Sequence, residues 1–299
     1  MSLLNRPSNG LASVLMALHR TLSAYGPLLE SDLISLVAPQ NMLADKKADM
    51  VKNTINRWRV LGFFVTNPDG MLQLGESIPK YSTANDAELR SAIVELVLRE
   101  RNNTGILSSD ADDDDKFPDA SDLTRALAWM LAQDPFTFPD SLEDAERLQS
   151  EQKVIPKPFV NDTRWQGFKE WVLFLGFAIT PGGRFVPNPS AAVKPYLLRI
   201  LGDLDELPIP ALLDELKAVL PVLDGGRYRL EVQTQIANPS REYLPHEISP
   251  SLSAALLTFD ASREIRLESR SDAQQRTLIG AKGVVLRQVS HIVTLRGRA

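Results

Sequence analysis

Three sets of residues in this chain could do chemistry: a spaced group of carboxylates, a few histidines and two clusters of cations. Pro139-Asp140, a gap and then Glu151-Gln152-Lys153 match the linear pattern of metal-dependent nucleases, whose carboxylates hold Mg²⁺ while the lysine assists the attacking water. That chemistry places its acids on neighbouring strands, whereas Ser141 to Leu148 has the acidic, helix-forming composition of an exposed helix. The context argues against catalysis. His19, His246 and His291 are scattered, none at metal-ligand spacing with another, and the chain has no cysteine to complete a metal site. Gly280-Ala281-Lys282-Gly283 lacks the glycine run and Lys-Ser/Thr ending of a phosphate-binding loop, and no Gly-x-Ser-x-Gly elbow occurs. The expectation is a protein without catalytic residues, metal or cofactor.

The cations point to binding. Lys46, Lys47, Lys52, Asn53, Asn56, Arg57 and Arg59 are expected on one helix, away from an apolar stripe of Met50, Val51, Ile55, Trp58 and Leu61. Arg and Lys can meet guanine or phosphate there, and Asn can pair with adenine. Asp45 and Asp49 dilute the patch. A second footprint comprises Arg263, Arg266 and Arg270, extended by Arg276, Lys282 and Arg287, set on strands that could track phosphates. The competing reading is charge guarding solvated strand edges.

The elements that must position these residues follow from periodicity. Leu11, Val14, Leu15, Leu18 and Leu22 mark a first helix, broken by Tyr25-Gly26-Pro27. Glu30 to Val37 is a second, and a third runs from about Leu43 to a terminating Gly62. Phe63 to Thr66, an Asn67-Pro68-Asp69-Gly70 turn and Met71 to Leu74 then read as a hairpin. Leu61-Gly62-Phe63 is echoed by Leu175-Gly176-Phe177, each copy closing a Trp-bearing helix, with Phe185-Val186 as the second returning strand. Asp162 or Thr163 caps that second helix, which holds Trp165, Phe168, Trp171 and Val172 and exposes Arg164, Gln166, Lys169 and Glu170. Core packing explains these aromatics more simply than base stacking.

Further helices are expected over Ala87–Arg99, Ser121–Gln133, Ala191–Leu201 with Pro195 in its first turn, Ala211–Leu220 and Ser251–Phe259. Tyr228–Val232, Glu264–Glu268 and Val289–Leu295 read as strands. Three helices followed by a hairpin is the order of a winged helix. The expected fold class is therefore mainly α with small β-hairpins (α+β), as tandem winged-helix domains. The domains expected are a winged helix at 1–80, a linker helix and acidic loop at 81–119, a second winged helix at 120–204, and a C-terminal α+β domain at 205–299 that is a candidate third copy.

Composition bounds the rest. The 43% hydrophobic and 24% charged content of this 299-residue chain is that of a globular protein. No apolar run approaches the ~20 residues that span a bilayer, no secretory signal is evident, and the lack of cysteine suits a reducing cytoplasm. The net charge of −5 excludes a uniformly basic coat, so any nucleic-acid surface is local.

The opening Met1-Ser2-Leu3-Leu4-Asn5-Arg6-Pro7-Ser8-Asn9-Gly10-Leu11, the two Leu-Gly-Phe turns, Leu252-Ser253-Ala254-Ala255-Leu256 and Ser271-Asp272-Ala273 resemble the DpdG proteins. The resemblance implies a bacterial accessory component of systems that place 7-deazaguanine derivatives in DNA and restrict unmodified DNA. It supplies no catalytic residues. The function expected is a non-catalytic component of a phage-defence or restriction-modification complex, binding double-stranded DNA or bridging it to other proteins of that complex, with homo-oligomers admitted and no membrane partner. The alternative is a protein-interaction scaffold resembling the winged-helix subunits of chromosome-organising ATPases. Both are argued from surfaces, because the scaffold itself hosts many functions.

Overall fold

Helix α1 (Ala12–Tyr25) buries Leu15, Leu18 and Leu22 at helical spacing and ends at Gly26, whose φ of 78° stops the chain from continuing as a helix. The computed structural model to which it belongs describes residues 3–4, 11–38, 47–81, 86–107 and 120–295. The acidic run at 108–115 and Lys46 lie outside the described residues. So does the side chain of Lys47, although its backbone opens a helix.

The chain is a mixture of helices and small sheets. Eleven α-helices are found among the described residues, with two antiparallel strand pairs and two three-stranded sheets. They divide into two compact units. The first comprises Met1–Thr124 with Val160–Leu175, and the second Arg125–Phe159 with Gly176–Ala299.

In the first unit α2 (Glu30–Val37), α3 (Lys47–Leu61), β1 (Phe64–Thr66) and β2 (Leu72–Leu74) follow α1. The β1–β2 pair is antiparallel, with Phe64 opposite Leu74. Leu28, between α1 and α2, makes an antiparallel bridge to Leu72, donating to it at 3.1 Å and accepting from it at 2.7 Å. The spatial order is therefore Leu28–β2–β1. The turn between the strands is fixed by Asn67, whose Oδ1 accepts from the N–H groups of Asp69 and Met71.

The core of this unit is aromatic. Trp58 of α3 is fully buried, edge-on to Phe63 at 5.5 Å and 5.2 Å from Trp171 of α7 (Asp162–Leu175). Helix α4 (Asp86–Leu98) packs on α7 and is tied to its end by Arg90 Nε, which donates to the Phe174 carbonyl at 2.9 Å. The Glu170 carboxylate of α7 accepts from the Ala12 N–H, so it caps α1, whose own flanking residue Leu11 has no side-chain acceptor.

The second unit takes up α5 (Ser121–Leu131) from Arg125 onward, together with α6 (Leu142–Glu151) and the short antiparallel pair β3 (Ala178–Ile179) and β4 (Val186–Pro187). Ser141 caps α6 by accepting from the Asp144 N–H. Trp129 lies edge-on to Phe138 and Phe159, and its indole N–H donates to Gln152 Oε1 at 2.9 Å. Gln152 Nε2 in turn donates to Gln133 and Ser240. The buried amides are thus paired, as burial demands.

The same unit continues through α8 (Ser190–Leu201), β5 (Glu206–Pro208), α9 (Ile209–Val219), α10 (Arg227–Gln233), β6 (Glu247–Ile248), α11 (Pro250–Ala261), β7 (Ile265–Glu268), β8 (Arg276–Ile279), β9 (Val285–Val289) and β10 (His291–Thr294). Two sheets result. One is antiparallel with order β5–β10–β7; the other is β6–β8–β9, in which β6 runs parallel to β8. Omitting α10, β6 and the β8–β9 hairpin leaves helix, strand, helix, helix, strand, strand with the last strand central. That is the path of α1 to β2.

Two expectations fail here. Tyr228–Val232 is helical, not extended: Tyr228, Arg229 and Val232 are buried while Leu230 is 52% exposed, a face that period 3.6 produces and strict alternation does not. Pro195 is interior to α8, not in its first turn, and Ala191, whose carbonyl loses its donor there, sits at an exposed position where water can replace it.

The helix-to-strand turns share one scheme. Gly62 and Gly176 have φ of 93° and 82°. The Phe63 carbonyl accepts from the Gly75 N–H at 2.8 Å, and the Phe177 carbonyl from the Asn188 N–H at 2.9 Å. Phe63 N–H reaches back to the Trp58 carbonyl at 2.8 Å, and after α11 Glu264 N–H makes the same five-residue reach to Phe259 at 3.0 Å. In that third turn Arg263, with φ of 58°, stands where the others have glycine. Arg263 is exposed. Arg263→Gly is therefore expected to stabilise the second unit by about 1 kcal/mol, read as a higher denaturation midpoint at unchanged m-value.

Candidate nucleic-acid interface

Helix α3 presents the residues expected to read DNA, and burial sorts them. Lys52 is exposed, and no carboxylate pairs with it among the described residues. Asn53 and Asn56 are half-buried, and Asn56 Oδ1 accepts from Arg59 Nη1 at 3.1 Å. Arg59 also pairs with Glu30 of α2, so its charge is neutralised within the unit.

Arg57 does not lie on the exposed face. It is 4% exposed, and its Nη1 donates to the Leu3 carbonyl at 3.3 Å. The same N-terminal segment is held from the other side, because the Leu3 and Leu4 N–H groups donate to the two oxygens of Asp122. Arg57 works as an internal strut for residues 3 and 4. The geometry explains why periodicity misplaced it: it neighbours Trp58 and lies one turn above Thr54, both fully buried, at the margin of the apolar stripe.

Helix α7 corrects a second assignment, since Arg164, expected on the surface, is also 4% exposed. Of its neighbours, Gln166 bonds Asp162 and Lys169 lies over the Trp165 ring at 5.4 Å. Burial pushes the Glu170 carboxyl up from its ordinary value, partly offset by the Ala12 N–H.

The C-terminal arginines converge, but on carboxylates of the same unit. Arg270 grips Glu206 through both terminal nitrogens, at 2.9 and 2.5 Å, and reaches Glu268 at 3.1 Å. Arg266 shares Glu268 at 2.7 Å, and Arg287 pairs with Asp260 at 2.9 Å. The Arg270 hydrogen bond holds both Glu206 and Glu268 below the usual carboxylate range. Strand register causes the convergence: β10 lies between β5 and β7, with His291 opposite both Pro208 and Glu268. Arg263, at the corner after α11, is the exposed member without such a partner among the described residues. The carboxylates from β5 and β7 were invisible to a reading that followed cations along the chain.

The nuclease-like residues do not come together. Asp140 precedes α6, where it accepts from the Phe185 N–H, and Glu151 ends that helix; ten residues separate them by about 15 Å of helix. Among the described residues no three His, Cys, Asp or Glu side chains group as a metal site, and no helix is long and apolar enough to cross a membrane.

No curated protein and no solved structure matches this chain. A family model described as DpdG-like matches residues 1–273, which takes in the first unit, the second as far as the turn after β7, and both Leu-Gly-Phe turns. With that much of its length matched, the chain belongs to the DpdG-like family.

Proposed function

We propose that this protein is a tandem winged-helix component of a 7-deazaguanine DNA-modification and phage-defence system. It acts in the bacterial cytoplasm by binding duplex DNA or bridging it to the enzymes of the complex, with no catalysis of its own. Family membership suggests the system. The observation carrying the rest is the path helix, strand, helix, helix, strand, strand with its last strand central, followed by α1 to β2 and again by α8 to β10. In helix-turn-helix proteins such a scaffold offers the helix before the hairpin to the major groove. In the first copy that helix is α3, and Lys46, Lys47 and Lys52, with Asn53 and Asn56, are the proposed contacts.

The test is the salt dependence of binding to a fluorescent duplex, followed by anisotropy. Reversing Lys46, Lys47 and Lys52 to glutamate should weaken binding and flatten the slope of log K against log salt by about 0.9 for each phosphate no longer neutralised. An unchanged slope would remove α3 from the interface.

One observation favours a second reading. Arg266, Arg270 and Arg287 are neutralised by the unit's own carboxylates, which suits a protein-interaction scaffold, with homo-oligomers among its assemblies, better than a phosphate track. Partners recovered from the native operon, without any duplex shift, would select the scaffold.

A further inference from the structure

Helix α10 carries a side chain that neither reading uses. Arg229 is 2% exposed, and its Nε and Nη1 atoms are buried without a hydrogen-bond partner. The nearest carboxylate, Asp224, stands 3.8 Å from Nη2, beyond hydrogen-bond range, and its other oxygen is taken by the Ser249 N–H at 2.7 Å. A guanidinium stays charged when buried, so its open donors need an acceptor.

Arg229 lines a cavity of about 360 Å³ together with Lys217, Asp224, Tyr243, Glu247 and Arg276, all in the second unit. That volume lies at the lower end of small-molecule sites, roughly 300–1,000 Å³. The lining looks mixed in charge, but its acids are occupied. Glu247 accepts from Arg241 at 2.7 Å and from the Leu244 N–H at 3.0 Å, and Asp214, at the rim, pairs with Lys217 at 2.6 Å. Arg276 is half-buried and has no partner among the described residues. Tyr243 is pushed up to about 12 by burial, so its phenol remains a proton donor at neutral pH. Two guanidinium groups and a phenol O–H are donors in want of an acceptor, whereas the carboxylates that could hold a cation are already engaged.

We propose that this cavity binds a small molecule anchored by an oxyanion, its oxygens accepting from Arg229, Arg276 and Tyr243. A carboxylate and a phosphate group offer the same acceptor geometry to a guanidinium fork. The proposal does not depend on the winged-helix reading, because its donors lie on the inserted segment between α9 and α11 and on the inserted strand β8.

The test uses the whole chain and two probes, inorganic phosphate and acetate, each compared with chloride at equal ionic strength. Calorimetric titration and thermal melting should show saturable binding and a raised Tm with at least one probe. A response to phosphate alone identifies a phosphorylated ligand, and one to acetate alone a carboxylate. Arg276→Gln and Tyr243→Phe, which leave the buried Arg229 in place, should each weaken binding by about tenfold. Equal melting in phosphate, acetate and chloride overturns the proposal. So does a phosphate effect that both variants retain in full, since excluded salts raise Tm without a site.

Discussion

Trp58→Ala is expected to lower the stability of the first unit by about 3–5 kcal/mol, enough to leave much of that unit unfolded at 37 °C. Trp58 is fully buried and joins three parts of the sequence: α3, which carries it, Phe63 at the entry to the hairpin, and Trp171 of α7. Removing the indole leaves a cavity walled by Phe63, held edge-on to Phe64, and Trp171, held edge-on to Phe174, so collapse recovers little. Trp171→Ala should cost a similar amount, and the double variant less than the sum, because the two rings pack on each other. Urea unfolding of the three variants checks this. Additive losses would mean that α3 and α7 are stabilised separately.

The second large effect concerns the repeated glycines, which differ in what surrounds them. At Gly62 a new Cβ would meet only Arg101 Nη2, the far end of a flexible side chain, so Gly62→Ala should cost about 1 kcal/mol, from the positive φ alone. At Gly176 it would come within 2.9 Å of Ala191 Cβ and 3.0 Å of Ala192 N. That amide is the one that bonds the Gly176 carbonyl. Neither atom can swing aside, so Gly176→Ala should cost about 3 kcal/mol, backbone strain and overpacking together. Denaturation midpoints of the two variants check the ranking, and equal losses would contradict the close packing of α8 on this turn.

Much of this was legible in the residues. Two Leu-Gly-Phe turns after tryptophan-bearing helices announced two hairpins, because only a residue tolerant of positive φ lets a helix end and turn back so sharply. Both pairs are present at 64–74 and 178–187. The four tryptophans are buried, as helical spacing implied. The turn after α11 was harder to see because Arg263 replaces the telltale glycine. The segments at 227–248 and 269–290 also separate elements that are adjacent in the first copy. Tyr228–Val232 was misread since a five-residue run fits both periods.

The candidate interface was legible only in outline. Periodicity located α3 and its polar margin, but a residue at the edge of a stripe goes inward or outward according to what covers it. Leu3, pinned together with Leu4 by Asp122 more than a hundred residues away, covers Arg57. The pairing of Arg270 with Glu206, 64 positions apart in the chain, is likewise a product of sheet order. Charge clustering along a chain reports a surface only after its cross-strand partners have been subtracted.

The proposed function requires a protein that holds DNA without cutting it. The most direct measurement incubates the whole chain with a fluorescent duplex and Mg²⁺ at rising salt, reads anisotropy, and then resolves the same DNA on a denaturing gel. Binding at about 50 mM salt is expected to weaken steeply toward about 200 mM, with every strand intact. Absence of binding at the lowest salt, or strand cleavage lost on Asp140→Ala, would contradict it.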